Sequence, residues 1–81
     1  MIIFNETTKE SLTNVTILLN KSEADQMQGY LEELLSNATQ NAHYHLNNDD
    51  YSKEVTLTLY DKKSNLDGFS DVLKTLINSE L

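Results

Sequence analysis

Apolar positions recur along this chain at two different spacings. Steps of three and four residues, which keep side chains on one side of a helix, occur over about residues 23–37 and 66–78. We therefore predict two amphipathic helices. Ser22 and Ser64 are predicted to cap them, because an aspartate follows each serine three residues later. The two apolar stripes consist of Ala24, Met27, Leu31, Leu34, Leu35 and Ala38, and of Leu66, Phe69, Val72, Leu73, Leu76 and Ile77.

A period of two, which is typical of strands, marks the rest of the chain. Residues 2–4 form a short β-prone run, and residues 12–19 alternate with β-branched side chains. These runs are predicted to pair as a hairpin with a loop of about seven residues, which is the length of the polar stretch between them. Residues 42–46 and 55–60 alternate in the same way and predict a second hairpin around the polar loop 47–53.

The predicted element order is β-β-α-β-β-α. It indicates an α+β fold, a two-layer sandwich in which a three- or four-stranded, largely antiparallel sheet carries both helices on one face. No Pro-rich, Gly-rich or repetitive stretch divides the chain, so we predict a single domain over residues 1–81. The strand residues expected beneath the helices are Val15, Ile17, Leu19, Tyr44, Leu46, Val55, Leu57 and Leu59.

The opposite face of the predicted sheet has a mixed composition. An antiparallel sheet can leave one face in water. This face is either a contact surface for a partner or a second copy, or an ordinary wetted face rich in threonine. It would carry Thr16, Leu18, His43, His45, Thr56, Thr58 and Tyr60.

The charge balance narrows the class of partner. Thirteen Asp and Glu stand against six Lys and no Arg, which gives a formal charge of −7. Binding to nucleic acid or to an anionic membrane requires a cationic surface, so neither partner is expected. A basic or neutral protein fits this charge better. The sequence has no Cys, no signal-peptide pattern and no long apolar run, so we predict a cytoplasmic protein without disulfides.

Candidate chemistry is sparse. His43 and His45 lie on one predicted strand face and could share a metal ion, but a catalytic zinc site normally has three protein ligands. A third ligand such as Glu54 or Asp61 would depend on strand register. No glycine-rich phosphate loop and no nucleophile–base spacing is present, so we predict neither an enzyme nor a bound cofactor or metal.

Two passages resemble small acidic immunity-type proteins of bacterial toxin systems. The first is the helix-to-strand passage over residues 30–35 and 43–46, and the second is the ending over residues 66–77. The resemblance covers about residues 15–77 in pattern. It implies a binding role, in which the protein covers a surface of a toxin or effector, and it carries over no individual residue.

These observations favour a protein-binding module, of the immunity or inhibitor type. Acidic side chains would steer the module to a basic partner, and exposed tyrosines would anchor it. The residues expected to take part are Glu32, Glu33, Asp49, Asp50, Tyr51, Glu54, His43, His45 and Tyr60. The alternative is a structural homodimer that associates through the mixed sheet face or an edge strand.

Overall fold

The computed structural model describes residues 1–36, 42–61 and 66–79. It is an α+β protein in the predicted order β-β-α-β-β-α. The described elements are β1 (Ile3–Asn5), β2 (Glu10–Leu12), α1 (Lys21–Ser36), β3 (His43–Asn47), β4 (Glu54–Thr58) and α2 (Asp71–Ser79).

The chain forms two compact units. The central unit, Leu18–Leu59, contains α1, β3 and β4. The terminal unit, Met1–Ile17 with Tyr60–Leu81, contains β1, β2 and α2. The single domain over residues 1–81 stays a prediction.

A first hairpin forms near the start of the chain, but with a tighter turn and an earlier second strand than predicted. β1 and β2 pair antiparallel with Ile3 opposite Leu12. The Asn5 side-chain oxygen accepts hydrogen bonds from the backbone N–H groups of Thr7 and Thr8, at 2.9 and 3.1 Å. Lys9, whose left-handed backbone has φ 62°, donates its N–H to the Asn5 carbonyl at 2.8 Å. An asparagine side chain that mimics a backbone turn thus closes the chain over only residues 6–9.

The long strand predicted over residues 12–19 is wrong. Because the turn closes early, the second strand is Glu10–Leu12, and residues 14–20 are in neither helix nor strand. Val15 and Ile17, predicted to lie in the core, are about half exposed, and Leu18 is largely exposed. Alternation alone does not make a strand, because a strand also needs a paired neighbour, and here β1 pairs with the residues that precede this segment.

The first helix begins two residues earlier than predicted, and its cap is Asn20 in place of Ser22. The Asn20 side-chain oxygen accepts the Glu23 N–H at 2.8 Å, and the Glu23 carboxylate accepts the Asn20 N–H at 3.0 Å. This reciprocal pair is a capping box, which satisfies two backbone donors at the helix end. An acidic side chain there also complements the helix dipole.

We expect Asn20→Ala to lower the free energy of unfolding by about 1 kcal/mol, because the cap loses its acceptor. Ser22→Ala, two residues on, is the control and should change the free energy of unfolding by less than about 0.5 kcal/mol. Urea denaturation of both variants measures the difference. A larger loss for Ser22→Ala would contradict Asn20 as the cap.

The second hairpin follows the predicted alternation. β3 and β4 pair antiparallel with Leu46 opposite Val55 and Tyr44 opposite Leu57. This side of the hairpin packs against α1, where the rings of Tyr30 and Tyr44 stack with centroids 5.1 Å apart. Leu34 of α1 and Leu46 of β3 are the buried residues of the central unit within the described ranges. Leu59, predicted to join this core, lies beyond β4 and is half exposed.

The second helix starts later than the apolar stripe suggested. α2 begins at Asp71, and the Ser70 hydroxyl accepts the Leu73 N–H at 3.3 Å, so Ser70 is its cap. The predicted cap Ser64 lies outside the described residues. Leu66 and Phe69 precede the helix in a turn closed by the Phe69 N–H and the Leu66 carbonyl. Ile77 is the buried side chain of α2.

The expected sheet architecture is not confirmed. The described strands pair as two separate two-stranded sheets, β1–β2 and β3–β4, so no three- or four-stranded sheet and no two-layer sandwich is established. Within the described ranges, no helix combines the length and the apolar character that crossing a lipid bilayer requires.

Candidate functional site

The loop between β3 and β4, residues 48–53, is here called the hairpin tip. Asn48 organises it. The Asn48 side-chain oxygen accepts the Lys53 N–H at 3.0 Å, and its amide donates to the Ser52 hydroxyl at 3.0 Å. The Asn48 carbonyl accepts the Tyr51 N–H, also at 3.0 Å. Local side-chain to backbone bonds of this kind favour one loop conformation over many. These hydrogen bonds therefore hold the hairpin tip in one conformation.

Tyr51 is the prominent side chain of this tip. It is 77% exposed, and its backbone has φ 59°, in the left-handed region. A large residue with positive φ is uncommon, because its Cβ crowds the backbone. The hydrogen bonds around Asn48 hold this conformation, and the ring projects into solvent. Exposed large aromatic side chains on ordered loops are typical anchors in protein interfaces.

We expect Tyr51→Gly to be more stable than Tyr51→Ala by about 1 kcal/mol. Alanine keeps the left-handed strain, whereas glycine adopts positive φ freely. The matched control is Asp49→Gly against Asp49→Ala, at a position of the same turn without positive φ, where glycine should be the less stable variant. Urea denaturation measures all four variants. Equal stability of the two Tyr51 variants would contradict a strained backbone at this position.

Two carboxylates precede Tyr51 on the tip, and both are exposed. Hydrogen bonding by the Ser52 hydroxyl, and then by the Ser52 backbone N–H at 3.0 Å, lowers the pKa of Asp50 below its ordinary value of 3.8. The cause is that both donors favour the charged form of the carboxylate. Asp50 therefore holds the turn to Tyr51 and adds negative charge beside the ring.

This pKa shift predicts an acid-sensitive tip. Because the folded-state pKa of Asp50 is depressed, its stabilising contribution is present above the unfolded value and is lost as pH falls through the folded value. The stability difference between the native protein and Asp50→Asn should therefore be constant near neutral pH and should shrink as the pH falls below the unfolded value of 3.8. Asp49→Asn removes the same charge without the Ser52 hydrogen bonds and is the control. A pH-independent difference for Asp50→Asn would contradict the shift.

The histidines lie on the exposed side of the second hairpin, as predicted. His43 is opposite Thr58 and His45 is opposite Thr56, and all four side chains are exposed. The His45 Nδ1 atom is 2.9 Å from the Thr56 hydroxyl and 3.5 Å from a Glu54 carboxylate oxygen. The two imidazole rings meet edge to face with centroids 5.0 Å apart.

Glu54, one of the two candidate third metal ligands, lies close to a histidine. Strand register brings Glu54 to His45, on the same side of the hairpin. In the part of the chain that the structure describes, however, no group of three His, Cys, Asp or Glu side chains is arranged to hold a metal ion. The Glu54 carboxylate instead pairs with His45, and Thr56 bonds to the same ring nitrogen. This network orients His45 on the surface.

The remaining predicted residues lie elsewhere. Glu32 and Glu33 are exposed on α1, and the Glu32 carboxylate accepts a hydrogen bond from the Gln28 amide at 3.3 Å. Tyr60 belongs to the terminal unit and is half-buried, and its hydroxyl accepts a hydrogen bond from the Met1 amino group at 3.4 Å. The structure therefore brings together Asp49, Asp50 and Tyr51 on the tip, with Glu54 and His45 on the adjoining strands.

A recess of about 270 Å³ opens beside the hairpin tip, within the central unit, and is here called the tip recess. It forms where the middle of α1 lies by the tip end of the hairpin. Sequence reasoning missed the contributions of α1 and of the three amide side chains, because no periodicity marks them. The lining residues are Gln26, Tyr30, His45, Asn47, Asn48, Asp49 and Tyr51.

Comparisons with known proteins give no relative whose function could be used to interpret this site. No family model, no curated protein and no solved structure matches the chain.

Proposed function

We propose that this chain is a protein-binding module whose hairpin tip engages a basic partner. The observation that carries the proposal is Tyr51, an exposed ring held on left-handed backbone by the hydrogen bonds of Asn48. Natural sequences accept strain of about 1–3 kcal/mol mainly where function uses the strained residue. A preordered loop also loses less conformational entropy on binding.

The charge of the chain supports the chemistry of the partner. The formal charge is −7, and Asp49 and Asp50 place two carboxylates next to the aromatic anchor. Such a surface attracts a positively charged protein and raises its association rate. Among the classes of protein with this character, we favour an immunity or inhibitor protein that covers a basic surface of a toxin or effector in the cytoplasm.

The test begins with capture of partners from cells of the source organism by immobilised protein, followed by measurement of rates with the purified partner. We expect Tyr51→Ala to weaken affinity by about tenfold or more, mainly through faster dissociation. The control is Leu35→Ala, which removes an exposed apolar side chain from α1. Unchanged affinity for Tyr51→Ala would refute the tip as the binding site.

Charge reversal tests the electrostatic part separately. Asp50→Lys should lower the association rate, and so should a rise in salt from about 50 mM to 500 mM, by roughly tenfold. Glu10→Lys makes the same change in net charge on exposed β2 and is the control. Equal effects of the two reversals would mean that only net charge matters and that the tip is not the contact.

A homodimer is the second candidate, and the exposed strands favour it. Each described strand has one strand neighbour, and the homodimer would form by pairing of a β3–β4 edge with the same edge of a second copy. Edge-to-edge pairing would join the hairpins of two copies into one four-stranded sheet, with His43 and His45 on a face away from α1. This shared sheet differs from the sheet within one chain that the sequence predicted. Sedimentation at high micromolar concentration separates the candidates, because a strict monomer excludes the homodimer.

A further inference from the structure

The two histidines of β3 are neighbours on the exposed side of the second hairpin. Residues two apart on a strand point to the same side, with Cα atoms about 6.6 Å apart, and pairing with β4 fixes the backbone beneath both rings. The rings of His43 and His45 meet edge to face with centroids 5.0 Å apart. Both side chains are exposed, so an ion can reach them from water. They are the only histidines of the chain, which has no cysteine.

The separation of the rings suits shared coordination of one metal ion. A ring nitrogen lies about 2.0–2.1 Å from a zinc ion that it binds, so two imidazoles on one tetrahedral ion have ring centres roughly 5 Å apart. The rings of His43 and His45 already have this spacing. Rotation about χ2, which is a soft torsion for histidine, would then direct one nitrogen of each ring toward a common ion.

The hydrogen bonding of His45 is typical of a histidine that binds metal. Its Nδ1 atom is 2.9 Å from the Thr56 hydroxyl and 3.5 Å from a Glu54 carboxylate oxygen. A carboxylate only accepts hydrogen bonds, so in the neutral ring the proton is assigned to Nδ1 and the lone pair to Nε2. Metal-binding histidines commonly direct their other ring nitrogen at a carboxylate or another oxygen, which fixes the tautomer and raises the basicity of the ligand nitrogen.

We propose that His43 and His45 together bind one divalent transition-metal ion. The sequence predicted no bound metal because it offered no third ligand, and Glu54 does not become one, since it lies at Nδ1 of His45 whereas the ion binds at Nε2. The two imidazoles are therefore the protein ligands, and water fills the remaining positions. Imidazole suits zinc, nickel and copper, of which copper binds most tightly. The site is independent of the proposed function, because no partner protein takes part.

The experiment is a titration of the ¹⁵N-labelled protein with zinc chloride near neutral pH, followed by NMR of the histidine ring nitrogens. We expect one nitrogen of each ring, Nε2 in His45, to shift in a saturable way with one ion per chain. Calcium prefers oxygen ligands and should leave both rings unchanged. Equal shifts with calcium, no saturable shift with zinc, or one zinc ion per two chains would each overturn the two-histidine site.

Single substitutions show whether both rings are needed. His43→Thr and His45→Thr each remove one ligand and keep a residue type that strands favour, so the hairpin should be retained. Either substitution should abolish saturable zinc binding, because one imidazole remains. Zinc affinity that is unchanged in either variant would contradict shared coordination.

The role of Glu54 as a positioning residue has its own test. Glu54→Gln should raise the dissociation constant for zinc by roughly tenfold, the lower end of the usual effect of losing such a partner. Asp25→Asn removes an exposed carboxylate from α1, which packs against the Tyr44 side of the hairpin, and should leave the constant unchanged. The ring shifts of metal-free His45 should also show a proton on Nδ1. Equal effects of the two variants, or a proton on Nε2, would contradict this role.

Discussion

Leu34→Ala should destabilise the protein by about 2–5 kcal/mol, the usual range for emptying a buried leucine site. Leu34 is 2% exposed and lies on α1, the helix that packs on β3 and β4. Its loss removes apolar contacts and leaves a cavity that a helix on a two-stranded sheet can close only in part. A chain of this length has roughly 4–12 kcal/mol of stability in total, so the substitution removes a large share.

The adjacent residue supplies the control. Leu35 has the same side chain on the same helix but is 75% exposed, so Leu35→Ala should change the free energy of unfolding by less than about 0.5 kcal/mol. Urea denaturation followed by circular dichroism compares the two. Should Leu34→Ala fail to fold, Leu34→Met, expected to cost less than about 1.5 kcal/mol, replaces it. Similar losses at positions 34 and 35 would contradict the orientation of α1.

Ile77→Ala should have an effect of similar size, about 2–5 kcal/mol, in the terminal unit. Ile77 is 2% exposed and lies in the second half of α2. Val72, near the start of the same helix, is 46% exposed. Val72→Ala should therefore cost less than about 1 kcal/mol, partly because alanine is the better helix former.

Denaturation of Ile77→Ala and Val72→Ala measures this difference, with Ile77→Val as a milder variant expected to cost about 0.5–1.5 kcal/mol. A cost for Val72→Ala as large as that for Ile77→Ala would contradict the assigned buried side of α2.

The same denaturation data also test whether the chain is a single domain. A single domain requires that Leu34→Ala and Ile77→Ala shift one cooperative transition, seen alike by every probe.

Secondary structure was predicted correctly where the alternation of residues and the pairing of the strands agree. In the second hairpin, β-branched and aromatic residues alternate on both sides of a polar loop, so the pairing of the two strands and the exposed histidine side were predictable. The register of the pair was not predicted. Both helices were also predictable from their stripes. Their starting points were not, because Asn20 and Ser70 compete with the nearby serines as caps, and only backbone geometry decides between them.

The predicted second strand of the first hairpin was wrong for a physical reason. The strand pattern of residues 12–19 is strong, but pairing is decided by where the chain turns, and Asn5 turns it immediately after β1. The tip residues Asp49, Asp50 and Tyr51 could be selected from charge and residue type alone. The positive φ of Tyr51 and the tip recess could not, since both arise from hydrogen bonds and packing that no spacing encodes.

The stacked pair of Tyr30 and Tyr44 also provides an intrinsic spectroscopic probe of the fold. The chain has no Trp and four Tyr, so its near-ultraviolet signal comes from very few rings. Two of these rings are nearly parallel, at 8° and 5.1 Å between centroids, close enough for their electronic transitions to couple. Since one ring sits on a helix and the other on a strand, that coupled band reports on their docking without any attached dye.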